Sequence, residues 1–346
     1  MDVRCEARAA MAVVAAVVGT GYASGRDLVL FFAQTGRAGW IGVCVAPVLF
    51  GMLTAALCHC AAGVEANGAS EFGSRLMRPR ARAAAGGLYA LLLALTAVVM
   101  LCGAGETGAL TLPWRFGWLW GAGIALLIAL LLNLSRLRAL PWLGLVTLAA
   151  GVALYGALAV DPGSPRFRIN GAVELALEGS WAAAILLALT YAAMNAALAA
   201  GVVLRFGRGA NPGRLGACCA AALFALLATA HWAVVRGGRA LLGQAMPTVV
   251  LSARWGLSGF WACAAFGYLC AVTTLAAALG GMIDLLRGGG RGATLLTALA
   301  VAVLVGALGL RGAIGTGYRA VGWLSAALML GLACRADSLL LRGRKG

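Results

Sequence analysis

The sequence predicts an all-α integral membrane fold of about ten transmembrane helices, and three observations carry that expectation. The 346 residues are 62% hydrophobic and only 11% charged, with a mean hydropathy of +0.94, far from the usage of a water-soluble domain. Apolar runs long enough to cross a bilayer, roughly 20 residues in helical form, recur along the chain. No stretch shows the alternating pattern of a barrel strand. Helices are therefore the spanning element, because in hydrocarbon every backbone polar group must be bonded internally.

The first run, Ala9 to Phe32, follows Arg4 and Arg8 and has the outline of a signal peptide. Nine further runs follow and apolar character resumes at Leu28, which favours an uncleaved helix. The next four are Trp40 to Ala62, Ala85 to Leu110, Trp118 to Leu134 and Leu140 to Val160. A long connection, Asp161 to Ser180, carries a Pro-bracketed turn and a short amphipathic stretch, Val173 to Leu177. Trp181 to Val203 and Leu215 to Val235 follow, and a second long connection, Arg236 to Gly256, contains another amphipathic stretch, Ala240 to Leu251. Leu257 to Leu286, Ala293 to Leu310 and Ala313 to Ala333 complete the set. The chain divides into five spans plus five, residues 1–160 and 161–346, with no separate soluble domain. Five spans per half make the second half enter the membrane from the opposite side, the inverted-repeat arrangement of many secondary transporters.

The net charge of +16 does not point to nucleic acid, because the basic residues are spread singly through short loops rather than along one face. The tails and even-numbered loops hold Arg75, Arg78, Arg80, Arg82, Arg136, Arg138, Arg205, Arg208 and Arg214 among others, and the opposite loops hold fewer. The asymmetry predicts that both termini lie in the cytoplasm. Ten cysteines imply no disulfide framework, since Cys44, Cys102, Cys263 and Cys270 lie inside apolar runs. Cys58, His59 and Cys60 lack the second Cys/His pair of a tetrahedral zinc site. No hydrolase, zincin or nucleotide-binding motif occurs, so neither an enzyme nor an ATP-driven pump is expected.

The most informative segment, Gly19-Thr20-Gly21-Tyr22-Ala23-Ser24-Gly25-Arg26-Asp27, lies in the middle of the first run. Three glycines, two hydroxyls and an adjacent pair of opposite charges suit a broken helix whose carbonyls and amides face ions or solutes. Close approach of a neighbouring helix is the other reading of the same glycines.

Gly19 to Asp27 followed by Phe31-Phe32 resembles the "GAGFASGQE...FF" opening of the YkvI-type bacterial membrane proteins, distant relatives of the amino acid/polyamine/organocation transporters with the LeuT-like fold. Cys102 to Glu106 resembles that family's third-helix "AGAGA", Tyr191 to Asn195 its sixth-helix "YVSYN", Thr273-Thr274 its eighth-helix "TT", and Tyr318 to Gly322 its tenth-helix "YPLFG". Arg26-Asp27 replaces the family's Gln-Glu, and Arg319 stands where it has Pro.

The resemblance implies an interrupted first helix, possible interruption of the sixth, and a Na⁺ site at Val17, Thr20, Thr273 and Thr274. Substrate is then expected at Gly19, Thr20, Gly21, Ser24, Tyr191 and Asn195, with Arg26, Asp27 and Glu106 in gating or proton-linked roles. Each group has a plainer reading. Membrane threonines bond back to their own helix, Asn and Tyr bond across helix interfaces, Arg26 and Asp27 form an anchoring ion pair, and Glu106 is solvated. The expected function is secondary transport, by alternating access, of a small amino-acid-like, amine or carboxylate solute coupled to Na⁺ or H⁺. The alternative is a non-transporting membrane sensor or scaffold with the same fold. Beyond the coupling ion no cofactor is expected, and the partners are lipid and a small solute, with no nucleic acid.

Overall fold

A run rich in Ala, Leu and Val forms helix readily, and the points where such runs stop decide this architecture. The computed structural model describes residues 3–160 except 67, 113 and 114, residues 179–287 except 239, 240, 242, 243 and 245, and residue 325. The ninth and tenth expected spans, Val173 to Leu177 and Tyr318 to Gly322 lie outside the described residues, save for the single position 325. The first run is divided into α1 (Val3–Val17), α2 (Thr20–Ala23) and α3 (Arg26–Phe31), followed by a 3-10 turn, Ala33–Ala38. Then come α4 (Gly39–Gly63), α5 (Ala69–Leu76), α6 (Pro79–Thr111), α7 (Gly117–Leu134) and α8 (Leu140–Val160). The second part contains α9 (Trp181–Phe206), α10 (Pro212–Gly237), α11 (Pro247–Ser252), a 3-10 turn and α12 (Gly256–Arg287). Among the described residues there is no strand, and seven helical stretches are long and apolar enough to cross a membrane.

Helix starts follow their local signals. Pro79, Pro212 and Pro247 occupy first-turn positions, where a missing N–H costs nothing. Asn211 caps α10 by accepting the Arg214 N–H at 3.1 Å, and Ser180 caps α9 by accepting the Ala183 N–H at 3.2 Å.

Helix α1 is the axis of the bundle, packed against α8, α9, α10 and α12 with Ala9, Ala10 and Ala12 to Val18 buried. Small residues set the close crossings, as expected where packing rather than water drives helix association. Gly144 of α8 faces the Met11 carbonyl so closely that any Cβ would collide with it, and Gly51 of α4 meets Gly216 of α10 in the same manner. The exterior is apolar instead: Leu119, Leu127, Leu131, Trp142 and Trp181 are exposed.

The two ends of the bundle differ chemically. Trp40, Trp118, Trp120 and Trp181 lie at one end, on the first turns of their helices, with Trp232 and Trp261 within two turns of the same end, a distribution suited to a membrane interface. Arg75, Arg78, Arg80, Arg82, Arg136, Arg138, Arg205, Arg208 and Arg214 collect at the other. At this arginine end, Glu6 accepts the Asn211 N–H at 3.3 Å and Asp284 the Ser70 N–H at 3.5 Å, while the Tyr89 hydroxyl accepts the Gly201 N–H at 3.0 Å. Carboxylates at helix starts interact favourably with the positive end of the peptide dipoles.

The Glu6 carboxyl is held below its ordinary pKa, first by its own backbone N–H and then by that of Asn211. A folded-state pKa that is depressed adds stability above the unfolded-state value, and that contribution is lost as pH falls through the folded-state value. In detergent the Tm is expected to be flat near neutrality and to fall on acidification, with Glu6→Gln flattening part of that fall. Gly144→Val, by forcing α8 off α1, is expected to cost about 1–3 kcal/mol in the same measurement.

Candidate functional site

The last four carbonyls of any helix lose their partners, and at the end of α1 this happens inside the bundle. Gly19 is extended (φ −96°, ψ −169°) and its N–H turns back to the Val17 carbonyl at 3.1 Å. The carbonyls of Ala15 and Val18 are thereby released, and both face the Thr274 hydroxyl of α12, at 3.4 and 3.2 Å. Gly19 permits this approach: a Cβ there would meet Met100 Cε at 2.9 Å and stand 3.6 Å from Thr274 Oγ1. Three neutral oxygens from two helices thus converge on one buried point.

A second break follows at Gly25, whose φ of +81° is left-handed. The Tyr155 hydroxyl lies 2.6 Å from the Tyr22 carbonyl, 3.2 Å from that of Ala23 and 2.9 Å from Thr248 Oγ1. The Thr248 N–H donates to the Ser24 carbonyl at 3.0 Å, so α11 is tied directly to the break. The Tyr22 hydroxyl donates to the Leu226 carbonyl of α10 at 2.8 Å, and its ring packs edge-on against Tyr155 at 5.3 Å.

Beside the breaks, α2, α6, α11 and α12 enclose a cavity of about 70 Å³. A single water needs roughly 10–15 Å³ measured this way, so there is room for several waters or one small solute. Its polar lining comes from Thr20, Ser24, Thr107 and Cys263, with Met246 and Phe260 among the apolar walls. Thr107, Leu110 and Phe260 stand near the tryptophan end of their helices, so the cavity lies toward that end.

The expected residues fall in three groups. Thr20 and Ser24 line the cavity, while Gly19 lies beside Met100 and Thr274, and Gly21 lies under the Asp27 carboxylate, which any Cβ would overlap. Thr274 meets the α1 carbonyls, but its neighbour Thr273 bonds back to Leu269 at 3.0 Å and Cys270 at 3.2 Å. The carbonyls offered to Thr274 are those of Ala15 and Val18, not Val17 and Thr20. Val17 accepts from Gly19, and the Thr20 carbonyl accepts the Ser24 N–H at 2.9 Å. Where the ladder stops decides which oxygens are freed.

Tyr191 and Asn195 require a correction. Helix α9 runs unbroken for 26 residues, as its alanine content favours, so the possible interruption of the sixth helix is not observed. The Asn195 amide donates to the Tyr191 carbonyl at 2.8 Å, and the Tyr191 ring packs against Phe31 and Phe32 at 5.2 and 5.1 Å. Neither lines the cavity. Arg26 is exposed and Asp27 half-buried, and they make no ion pair; Arg75–Glu71, at 2.5 Å, is the ion pair found among the described residues. Glu106 is exposed and is not among the residues that line the cavity.

Several site residues went unread in the sequence. Tyr155 and Thr107 are polar groups in apolar runs, a signal that was present; Ala15 and Met100 carry none. Among the described residues no three His, Cys, Asp or Glu side chains converge on a metal position, and the Cys58 thiol bonds to the Gly207 carbonyl at 3.4 Å.

No family model and no curated protein matches the sequence. The chain is similar in structure to the manganese transporter of Eremococcus coleocola, in its complex with an aromatic bis-isothiourea substituted compound, with a TM-score of 0.52 and 13% identity. The match covers 96% of this chain and 76% of that one, and a mutant of the same transporter gives a TM-score of 0.51 with the same identity and coverage. At this identity the likeness is one of fold: a multi-span helical protein with the architecture of a membrane transporter.

Tyr155→Phe deletes the hydroxyl that contacts the Tyr22 and Ala23 carbonyls and Thr248 Oγ1. It is expected to lower stability by about 1–3 kcal/mol, read as a fall in Tm of the purified protein.

Proposed function

We propose that this chain is a secondary transporter of a small solute, coupled to a cation and working by alternating access around its broken first helix. The observation that carries the reading is the convergence of the Ala15 and Val18 carbonyls with the Thr274 hydroxyl, near a largely apolar cavity that Thr20, Ser24 and Thr107 also line. A hard monovalent cation needs oxygens and no deprotonation, which these neutral groups offer, so Na⁺ is preferred over H⁺ as the coupling ion. The finer architecture belongs to the same reading: ten spans, a LeuT-like 5+5 inverted repeat, and both termini in the cytoplasm of a bacterial cell. The arginine and tryptophan ends agree with that orientation. The related solved structures are of a manganese transporter, but the cavity here has no carboxylate or imidazole among its described lining residues. Divalent metal is therefore not the preferred cargo.

The test is Na⁺ dependence. A ligand bound only to the native state stabilises it by about 2.7 kcal/mol at roughly a hundred times its Kd. NaCl, compared with choline chloride at equal ionic strength, is expected to raise the Tm of the wild type and not of Thr274→Val. Equal Tm in both salts would remove the cation site. Solute binding without counterflow in proteoliposomes would turn the reading toward a sensor.

A further inference from the structure

The arginine end of the bundle concentrates positive charge where α5 meets α6, away from the cavity. Four arginines fall between positions 75 and 82, and the acid nearest to them in sequence is Glu71. Glu71 neutralises Arg75, pairing with it at 2.5 Å, and Arg75 also donates to the Val64 carbonyl. Arg78, Arg80 and Arg82 are exposed, and among the described residues no carboxylate pairs with them. The next acid along α6 is Glu106, near its other end. Helical spacing divides the three. Arg78 and Arg82 share a face of α6, and the Arg82 N–H donates to the Arg78 carbonyl at 2.9 Å, whereas Arg80 is turned about 160° from both. The stem of Arg82 runs past α5, where a Cβ on Gly73 would stand 3.6 Å from its Cγ. Like charges at this spacing repel, and the positive end of the α6 peptide dipoles adds to them rather than offsetting them.

Depth in the membrane identifies the counter-charge. Trp118 packs on Gly105 of α6 so closely that any Cβ there would collide with it, and this contact sets the level of the tryptophan belt on the helix. Arg82 precedes Gly105 by 23 positions, about 35 Å of helix, and Arg78 by 27, about 40 Å. A hydrocarbon core of roughly 30 Å, in a bilayer of roughly 40–45 Å, puts both arginines at the opposite headgroup layer. The anion held at that depth is the lipid phosphodiester, and a guanidinium fork meets two phosphate oxygens at once. A phospholipid of net negative charge satisfies the pair, while a choline lipid brings a cation along with its phosphate. We propose that Arg78 and Arg82, in the corner between α5 and α6, hold the headgroup phosphate of an anionic phospholipid, with Arg80 outside the site.

The test uses the purified full chain in a neutral detergent, with phosphatidylglycerol, phosphatidylcholine and inorganic phosphate as separate probes, read by calorimetry and by shift of Tm. Phosphatidylglycerol is expected to bind and to raise the Tm, phosphatidylcholine to bind about tenfold more weakly, and phosphate not to compete. Arg78→Gln and Arg82→Gln are each expected to weaken phosphatidylglycerol about fivefold at low ionic strength and less in high salt, and Arg80→Gln by less than about twofold. All three side chains are exposed, so the lipid-free Tm is expected to hold in every variant. A charge bias that merely orients the chain would treat the three arginines alike. Equal losses in all three variants, unchanged affinity in Arg78→Gln and Arg82→Gln, equal affinity for the two lipids, or displacement by phosphate would each overturn the assignment. Mass spectra of the wild type released from micelles holding both lipids in equal amounts need no variant. Retention of phosphatidylglycerol over phosphatidylcholine is expected there, and equal retention would remove the site.

Discussion

A helix that stops inside hydrocarbon must find new partners for the backbone groups it releases, and the rest of this architecture is arranged around that requirement. The first span stops twice. At the first stop the freed carbonyls of Ala15 and Val18 turn to Thr274, and at the second those of Ala23 and Ser24 meet Tyr155 and the Thr248 N–H, with Tyr155 also on the Tyr22 carbonyl that takes the Gly25 N–H. Helices α8, α11 and α12 therefore hold the broken segment by bonding its backbone directly. The bonds are individually modest in net worth, yet leaving any of these buried groups unpaired would cost about 1–3 kcal/mol.

The segment 19–27 was legible as a break because glycine, hydroxyl and charge rarely sit together at mid-span without purpose. Composition and run length likewise located the boundaries of α7 to α10 to within three residues, while α6 begins six residues before the expected Ala85. The partners were not legible. Tyr155 is one hydroxyl in an apolar run, and nothing in one dimension says that it faces Tyr22, 133 positions away. Asn195 was misplaced for a related reason. Its cost in a membrane is real, but a bond to Tyr191 within its own helix meets much of it, and sequence cannot tell that solution from a ligand.

The likeness to a manganese transporter is one of backbone path. A shared fold fixes where a cavity forms, while the side chains that face it decide what enters.

Gly19 has one more mechanical implication. A cut through an intact α-helix severs about four backbone hydrogen bonds, whereas between Val18 and Gly19 a single one, Gly19 to Val17, crosses the junction. The two arms of the first span are joined there as by an elbow. Tilting one arm about this joint would leave the hydrogen-bond ladder of each arm whole, with the change of torsion confined to one residue without a side chain.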